Sequence, residues 1–326
     1  MRAIQLNRFG GPDVLDIVAV PKPEPQAGEV LVRVHAAGVN FFEVLMRADR
    51  YAVTPQLPMI PGVEAAGIVE ALGQGVDASL LGTRVAAPLF ASSRPFGGYA
   101  DYVTIDASLA VPLPDSLSFG DATALMVQGL TALHLSRRSP PGGKSVLVGA
   151  AAGGVGSLLV QLAKRAGAGR VVAAAGSKTK LDHALSLGAD AAVDYSNTDW
   201  PERVRAATGG AGVDIIYDVV GGPLTAVALE ALAPCGELVF AALGRYALGA
   251  PQMEAMIVRN QSLRGFALLP LLSADLLRDG LSELFNLAAS GELKVINGGR
   301  FPLDQASQAH RLLDERGTTG KVVLIP

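Results

Sequence analysis

Three glycines, at 153, 154 and 156, interrupt a stretch that carries no charge from Ser145 to Ala163, SVLVGAAAGGVGSLLVQLA. Ser145 to Val148 suits a buried strand and Ser157 to Ala163 a buried helix. Strand, glycine turn, helix is the geometry of a dinucleotide-binding βαβ unit. Such a turn lets the backbone approach a pyrophosphate. The helix start then offers unpaired N–H groups and the positive end of its dipole. Against G-x-G-x-x-G the segment reads Ala151-x-Gly153-x-x-Gly156, with alanine in first place. The bare motif also arises in structural turns, so the flanking elements carry the reading. The stretch is long enough for a membrane span, but glycine at this density favours a turn over a regular helix.

The next predicted strand, GRVVAAAG, bears on which dinucleotide fits. An NAD site usually has Asp or Glu there, about 20 residues after the turn, for the ribose 2′-OH. Here the place reads Ala174-Ala175-Gly176, and no carboxylate follows until Asp182. Ser177, Lys178 and Lys180 come directly after instead. A hydroxyl and ammonium groups suit a 2′-phosphate, which favours NADPH over NADH. The alternative is a solvated Ser/Lys surface loop.

The elements around these residues fit two domains in 326 residues. The first part is rich in Val, Gly and Pro, with strand-like runs EVLVRVHAAGVN, GIVEALG and GTRVAAPL and an extended, exposed PKPEPQAG loop. ATALMVQGLTALHLSRR then has helical spacing. After it KSVLVGA, GRVVAAAG, DAAVDY, VDIIYDVVG and GELVFAAL alternate with helical segments, the signature of a doubly wound parallel sheet. Two more helices, ADLLRDGLSELFNLAASG and LDQASQAHRLLDERG, and a strand, KVVLIP, are expected to return to the first domain. The expected fold is therefore α/β, with a cofactor domain over 122–271 and a second, β-rich domain from 1–121 and 272–326.

Half the residues are hydrophobic, and the net charge is −3. An acidic balance without a basic run gives no reason to bind nucleic acid or an anionic membrane. The single cysteine, Cys235, rules out a disulfide within the chain and fits a reducing compartment. No secretory signal is read in MRAIQLNRFGG, so a cytoplasmic protein is expected.

Several short motifs together resemble the zinc-free quinone oxidoreductase (zeta-crystallin-like) branch of the medium-chain dehydrogenase/reductase superfamily. They are Gly38-Val39-Asn40, Pro61-Gly62-Val63-Glu64-Ala65-Ala66-Gly67, Gly97-Gly98-Tyr99-Ala100, Gly129-Leu130-Thr131-Ala132, the turn at 150–156, Leu187-Gly188-Ala189 and Thr319-Gly320-Lys321. The resemblance implies a catalytic domain like a chaperonin-10 barrel built from both chain ends, a central NADPH domain, and a homodimer. It implies Gly153, Gly154, Val155 and Gly156 under the pyrophosphate, and Ser177, Lys180 and Tyr195 around the 2′-phosphate. It places Asn40, Tyr51 and Thr131 near the nicotinamide, with Leu243, Gly244 and a strand at Ala267 and Leu268 on its far side and Lys321 close by. Leu45 stands where such quinone reductases often have an aromatic residue, and the segment 245–251 matches no known substrate loop.

Zinc-dependent members of the superfamily use Cys and His in the two segments that read Gly38-Val39-Asn40 and Gly62-Val63-Glu64 here. Glu64 alone remains, too few ligands for zinc. Reduction of a quinone or an α,β-unsaturated carbonyl needs no metal. It needs hydride and hydrogen-bond donors for the oxyanion that forms. Asn40 and Tyr51 are the candidate donors. Their alternatives are a residue capping the strand end and a half-buried packing aromatic.

The acceptor is a small molecule. A rival is an enoyl-thioester reductase using Arg47, Arg50 and Arg94 for a phosphopantetheine arm; another is a non-catalytic, crystallin-like NADPH binder. The four histidines, 35, 134, 183 and 310, are read as surface or satisfied core residues, Cys235 as a structural thiol in a turn, and residues 92–98 as a surface loop over the cleft. Asp218, at a strand's carboxyl end, is left unassigned.

Overall fold

The apolar runs of the chain sort into two kinds of sheet. A computed structural model describes residues 1–245 and 247–326; Tyr246, in the 245–251 segment, lies outside the described residues. The chain opens with β1 (Arg2–Leu6), β2 (Leu15–Ala19), the long β3 (Glu29–Val39), α1 (Phe41–Arg47), β4 (Ala65–Leu72), β5 (Arg84–Ala87), β6 (Tyr102–Asp106), β7 (Val111–Pro112) and α2 (Phe119–Ala124). Alternation follows: α3 (Leu130–Arg138), β8 (Ser145–Val148), α4 (Gly154–Arg165), β9 (Arg170–Ala175), α5 (Lys178–Ser186), β10 (Ala191–Asp194), α6 (Trp200–Ala207), β11 (Val213–Asp218), α7 (Pro223–Ala228), β12 (Leu232–Phe240), α8 (Ala250–Val258) and β13 (Ser262–Gly265). The last elements are α9 (Ala274–Ala289), β14 (Asn297–Pro302), α10 (Ala306–Asp314) and β15 (Lys321–Ile325). These fall into two compact units, Met1–Leu130 with Leu271–Pro326, and Thr131–Pro270.

In the central unit six strands lie in the order β10-β9-β8-β11-β12-β13, all parallel. This is the doubly wound order, with the chain reversing direction of growth between β8 and β11. Strands of such a sheet are buried on both faces, which is why they read as continuous apolar runs instead of alternating. In β9, for instance, every residue after Arg170 is buried. Leu147, Val172, Ile216, Leu238 and Trp200 share one core.

In the other unit β3 is the organising strand. Its first residues, Glu29–Arg33, pair with β6 and its last, Ala37–Val39, with β15, while β4 runs along it from Val30 to Ala37. Register shifts between Leu31 and Val32, and between Val34 and Ala36, bend this long strand so that it can serve three partners. β4 approaches so closely that a Cβ at Gly67 would lie 2.0 Å from the Arg33 carbonyl oxygen. Ile4, Val32, Val69, Tyr99 and Leu324 meet in the core, drawn from both chain ends. The α/β architecture, with a chaperonin-10-like unit that takes β14 and β15 from the other end of the chain, is the one expected.

Local differences have physical causes. The helix expected from Ser157 begins at Gly154. The expected single helix across 122–138 starts at Phe119 and is interrupted by a wide turn at Leu125–Gly129. Cys235 does not lie in a turn after a helix: it sits within β12 at φ 61°, where pairing with β11 shifts register. β13 ends at Gly265, so Ala267 and Leu268 lie beyond the strand. Residues 92–98 are mostly half-buried, and Gly98 is wholly so. Among the described residues no helix is long and apolar enough to cross a membrane.

Candidate functional site

The glycine turn is built from β8 outward. Ala150 takes a left-handed conformation, φ 45°, and its carbonyl accepts from the Gly153 N–H at 2.8 Å. The Ala151 N–H donates across to Ala174 of β9 at 3.0 Å. A Cβ at Gly156 would lie 2.2 Å from the Ala150 oxygen and 2.8 Å from the Ala151 Cα, so only glycine fits there. The N–H groups of Gly154, Val155 and Gly156 open α4 and have no acceptor within the helix. Donors at a helix start and a closely approachable backbone fit a pyrophosphate.

The end of β9 is a second feature of this unit. Ser177 caps α5 through its backbone, and its side chain makes no capping bond. The Tyr195 ring packs over Gly176: a Cβ there would be 3.0 Å from Cε2. A neighbouring carboxylate, Asp194, is turned onto the Ser196 N–H and hydroxyl at 2.9 and 2.7 Å. Lys178 pairs along the exposed face of α5 with Asp182 at 2.7 Å, and Lys180, one half-turn on, is half-buried. A small cleft opens at the carboxyl ends of the strands, lined by Gly149, Ala174, Tyr195, Asp218 and Val220 among others. In the same unit Thr131 is half-buried in α3, Gly244 is left-handed at φ 75°, and Leu243 is exposed. Ala267 and Leu268 lie in the loop after β13.

In the other unit the end of β3 meets the start of β15 in a buried polar cluster. Lys321 and Glu64 form an ion pair at 1% and 0% exposure. Asn40 joins them: its Oδ1 accepts from Lys321 Nζ at 2.8 Å, and its Nδ2 donates to Glu64 at 2.9 Å and to Glu43 at 3.1 Å. Glu43 also accepts from the Asn40 and Gly62 N–H groups at 2.9 and 3.1 Å. The second Glu64 oxygen accepts from the Val127 N–H at 2.9 Å, which ties in the wide turn at Leu125–Gly129. Gly38 is dictated by this cluster, since a Cβ there would lie 2.3 Å from Glu64 Oε1 and 2.6 Å from Lys321 Cε.

This geometry revises the expected role of Asn40. Both of its N–H bonds are spent on buried carboxylates, so the amide caps the strand end and has none left for a substrate oxygen. Tyr51 is half-buried with its ring 5.4 Å from that of Phe42, and burial raises its pKa above the ordinary phenol value. Among the described residues no three His, Cys, Asp or Glu side chains converge in a metal-binding group.

Glu43 was not singled out from sequence, although Asn40-x-x-Glu43 carries the spacing of a helix-start box. Desolvation, reinforced by the nearby Glu64 charge, raises its pKa to about 7; Lys321 and the Asn40 hydrogen bonds offset part of this. His310 is fully buried, not a satisfied core residue: Nε2 meets the Tyr99 hydroxyl at 3.2 Å and Nδ1 has no partner. Burial lowers its pKa to about 3. The arginines considered for a phosphopantetheine arm are engaged. Arg47 is buried on Asp314 at 2.7 Å, Arg50 reaches the same carboxylate at 3.6 Å, and Arg94 pairs with Glu29.

Comparison with known proteins matches residues 26–115 to the alcohol dehydrogenase GroES-like domain and 154–279 to the zinc-binding dehydrogenase family. The quinone oxidoreductase of Salmonella typhimurium is 34% identical, with 99% of each chain covered. The 2-haloacrylate reductase of a Burkholderia species is 34% identical, covering 99% of this chain and 98% of its own. Among solved structures, Escherichia coli quinone oxidoreductase complexed with NADPH superposes with a TM-score of 0.91 at 32% identity, all of both chains covered. An NAD-dependent alcohol dehydrogenase superposes at 0.89 with 32% identity, also over all of both chains.

Two outcomes are expected of the buried cluster. Lys321→Met strands a buried carboxylate and should cost about 3–5 kcal/mol in urea unfolding, with most of the loss recovered in Lys321→Met/Glu64→Gln. Because the folded pKa of Glu43 lies above the unfolded one, its protonated form favours folding, and that stability is lost as pH rises from about 4.5 to about 7. Glu43→Gln should therefore gain on the wild type by on the order of 2 kcal/mol between about pH 5 and about pH 8. Equal pH dependence in the two proteins would contradict the raised pKa.

Proposed function

This chain belongs to the quinone oxidoreductase branch of the medium-chain dehydrogenase/reductase superfamily, and from that premise we infer that it is an NADPH-dependent, metal-independent reductase of quinones or α,β-unsaturated carbonyls. The observation that carries the reading is the carboxylate-free end of β9, where Ser177 and Tyr195 flank Gly176 beside the glycine turn. Relatives named as quinone oxidoreductases supply the quinone class, and the 2-haloacrylate reductase supplies the activated alkene.

NADPH, when bound, supplies the hydride. The α4 N–H groups from Gly154 to Gly156, with Gly153, hold the pyrophosphate, and Ser177, Lys180 and Tyr195 hold the 2′-phosphate. Leu243, Gly244, Ala267, Leu268 and Thr131 are assigned to the nicotinamide end. Residues 1–121 and 272–326 are assigned the catalytic work and 122–271 the cofactor. As the conjugated carbon is reduced, its oxygen gains negative charge. The Tyr51 phenol is protonated at neutral pH, as any tyrosine is and the more so for its burial, and it donates to that oxygen. The proton that completes the product comes from water or Tyr51. Asn40 and Lys321 act as positioning residues through the cluster they share with Glu64. The Lys321 ammonium already supplies the positive partner of Glu64, so a metal cation at that carboxylate would meet a like charge.

A homodimer is proposed through the outer edge of β13. Every residue of that strand is exposed, and it ends the sheet, so its outer hydrogen-bonding groups await a partner. Leu263, and Ile257 and Val258 of α8, are exposed beside it, an apolar surface costly to leave in water. The single exposed thiol, Cys235, is consistent with the reducing cytoplasm proposed as its location.

Anaerobic NADPH oxidation with a panel of quinones and enones tests the activity; no turnover with any acceptor would refute it. Lys180→Ala should weaken NADPH binding about tenfold and leave NADH binding unchanged. In sedimentation experiments the wild type should run as a dimer and Val258→Glu as a monomer; a monomeric wild type would refute the edge-strand interface.

A further inference from the structure

The carboxylate at the end of β11 has no part in the chemistry described so far. Asp218 is 5% exposed. A buried carboxylate is costly unless hydrogen bonds satisfy it. Here three do. Oδ1 accepts from the Val220 and Gly221 N–H groups, each at 2.8 Å, and Oδ2 accepts from the Thr225 hydroxyl of α7 at 2.5 Å. Thr225 is itself fully buried.

These bonds hold a turn of unusual shape. Gly221 and Gly222 are both left-handed, each at φ 70°. The turn in its conformation makes a seat for a second loop, residues 242–245. The Gly222 N–H donates to the Arg245 carbonyl at 2.7 Å, and the Arg245 N–H closes onto Ala242 at 3.0 Å. The fit leaves no room for a side chain: a Cβ at Gly221 would lie 2.2 Å from the Arg245 oxygen and 2.7 Å from the Ala242 Cβ. The backbone of Asp218 holds the other end, accepting from the Ala241 N–H at 2.9 Å. One residue thus grips the loop at its start through its carbonyl and at its end through its side chain and the two glycines. Between the grips stand Leu243 and Gly244.

We propose that Asp218 is a positioning residue for the nicotinamide half of the cofactor. Its carboxylate fixes the Gly221–Gly222 turn, and that turn fixes the 242–245 loop at the carboxyl end of the sheet, where doubly wound folds bind ligands. The proposal rests on the reading that Leu243 and Gly244 line the nicotinamide. Ser177, Lys180 and Tyr195 are assigned to the adenosine end, so on this proposal loosening the 242–245 loop acts on the nicotinamide half.

That asymmetry gives the test. Asp218→Asn keeps the shape and removes the charge, so the bonds from the Val220 and Gly221 N–H groups lose their charge-assisted strength and an amide N–H replaces the oxygen that faces the Thr225 hydroxyl. NADPH and adenosine 2′,5′-bisphosphate, which carries only the adenosine half, are titrated into wild type and variant by calorimetry, and kcat and KM for NADPH are measured alongside. The variant is expected to bind NADPH about tenfold more weakly and the bisphosphate unchanged. Thr225→Val, which removes one bond at nearly constant volume, should give a smaller effect of the same kind and serves if the first variant does not fold. Equal weakening of both ligands would assign Asp218 a general structural role and overturn the proposal, as would unchanged binding of both. Wild type that binds neither ligand would overturn the cofactor reading itself, and the proposal with it. Wild type that binds both, with variants that do not discriminate, would overturn the proposal alone.

Discussion

A lysine and a glutamate, both shut away from water, fix the geometry of the barrel unit. Two charges in that position gain little stability over a well-packed apolar pair, and removing one of them is expensive. What they provide is a single arrangement. Glu64 uses one oxygen for Lys321 and Asn40 and the other for the Val127 N–H, so the end of β3, the start of β15 and the wide turn before α3 meet at one point. Gly38 has no side chain because this pair fills the space one would need. The cluster holds two carboxylates against one ammonium, and the surplus acid, Glu43, is the one that burial drives toward its protonated form.

The cofactor unit rests on a different principle, the placement of backbone donors. At the glycine turn the helix start provides N–H groups, and Gly156 lets α4 pack within reach of Ala150 and Ala151. After the neighbouring strand, β11, Gly221 and Gly222 do similar service for a loop instead of a ligand. The lysines of α5 stand at its rim, beside Asp194, which is turned onto Ser196. Where this unit buries a carboxylate, at Asp218, backbone N–H groups and a hydroxyl satisfy it, whereas the other unit sets Glu64 against an ammonium.

Much of this was legible in the sequence, and the reason is locality. Glycine turns, buried parallel strands and crossover helices declare themselves within a few residues, so the sheet and the turn at 150–156 could be read directly. The Lys178–Asp182 pair was equally readable as an i,i+4 contact, and so was the Asn40-x-x-Glu43 box. Asn40's commitment to its neighbours could not be, because Lys321 lies 281 positions away. The break in the helix at Leu125–Gly129 was hidden for a related reason. Its apolar spacing is that of an unbroken helix, and the wide turn carries the Val127 N–H that bonds to Glu64, a tertiary contact. The end of β13 at Gly265 was likewise invisible, since the apolar residues continue past the last ladder bond.

The partners of the buried pair are 257 positions apart in the chain. During synthesis the ribosome makes Glu64 early and Lys321 late, with the whole nucleotide-binding unit in between. Until β15 emerges, the end of β3 lacks one of its ladder partners and Glu64 lacks the Lys321 ammonium. The central unit, contiguous in sequence, is free to fold meanwhile. Completion of the barrel is thereby tied to the arrival of the last strand, and a chain released before that point lacks the residue that would let its acidic centre be buried.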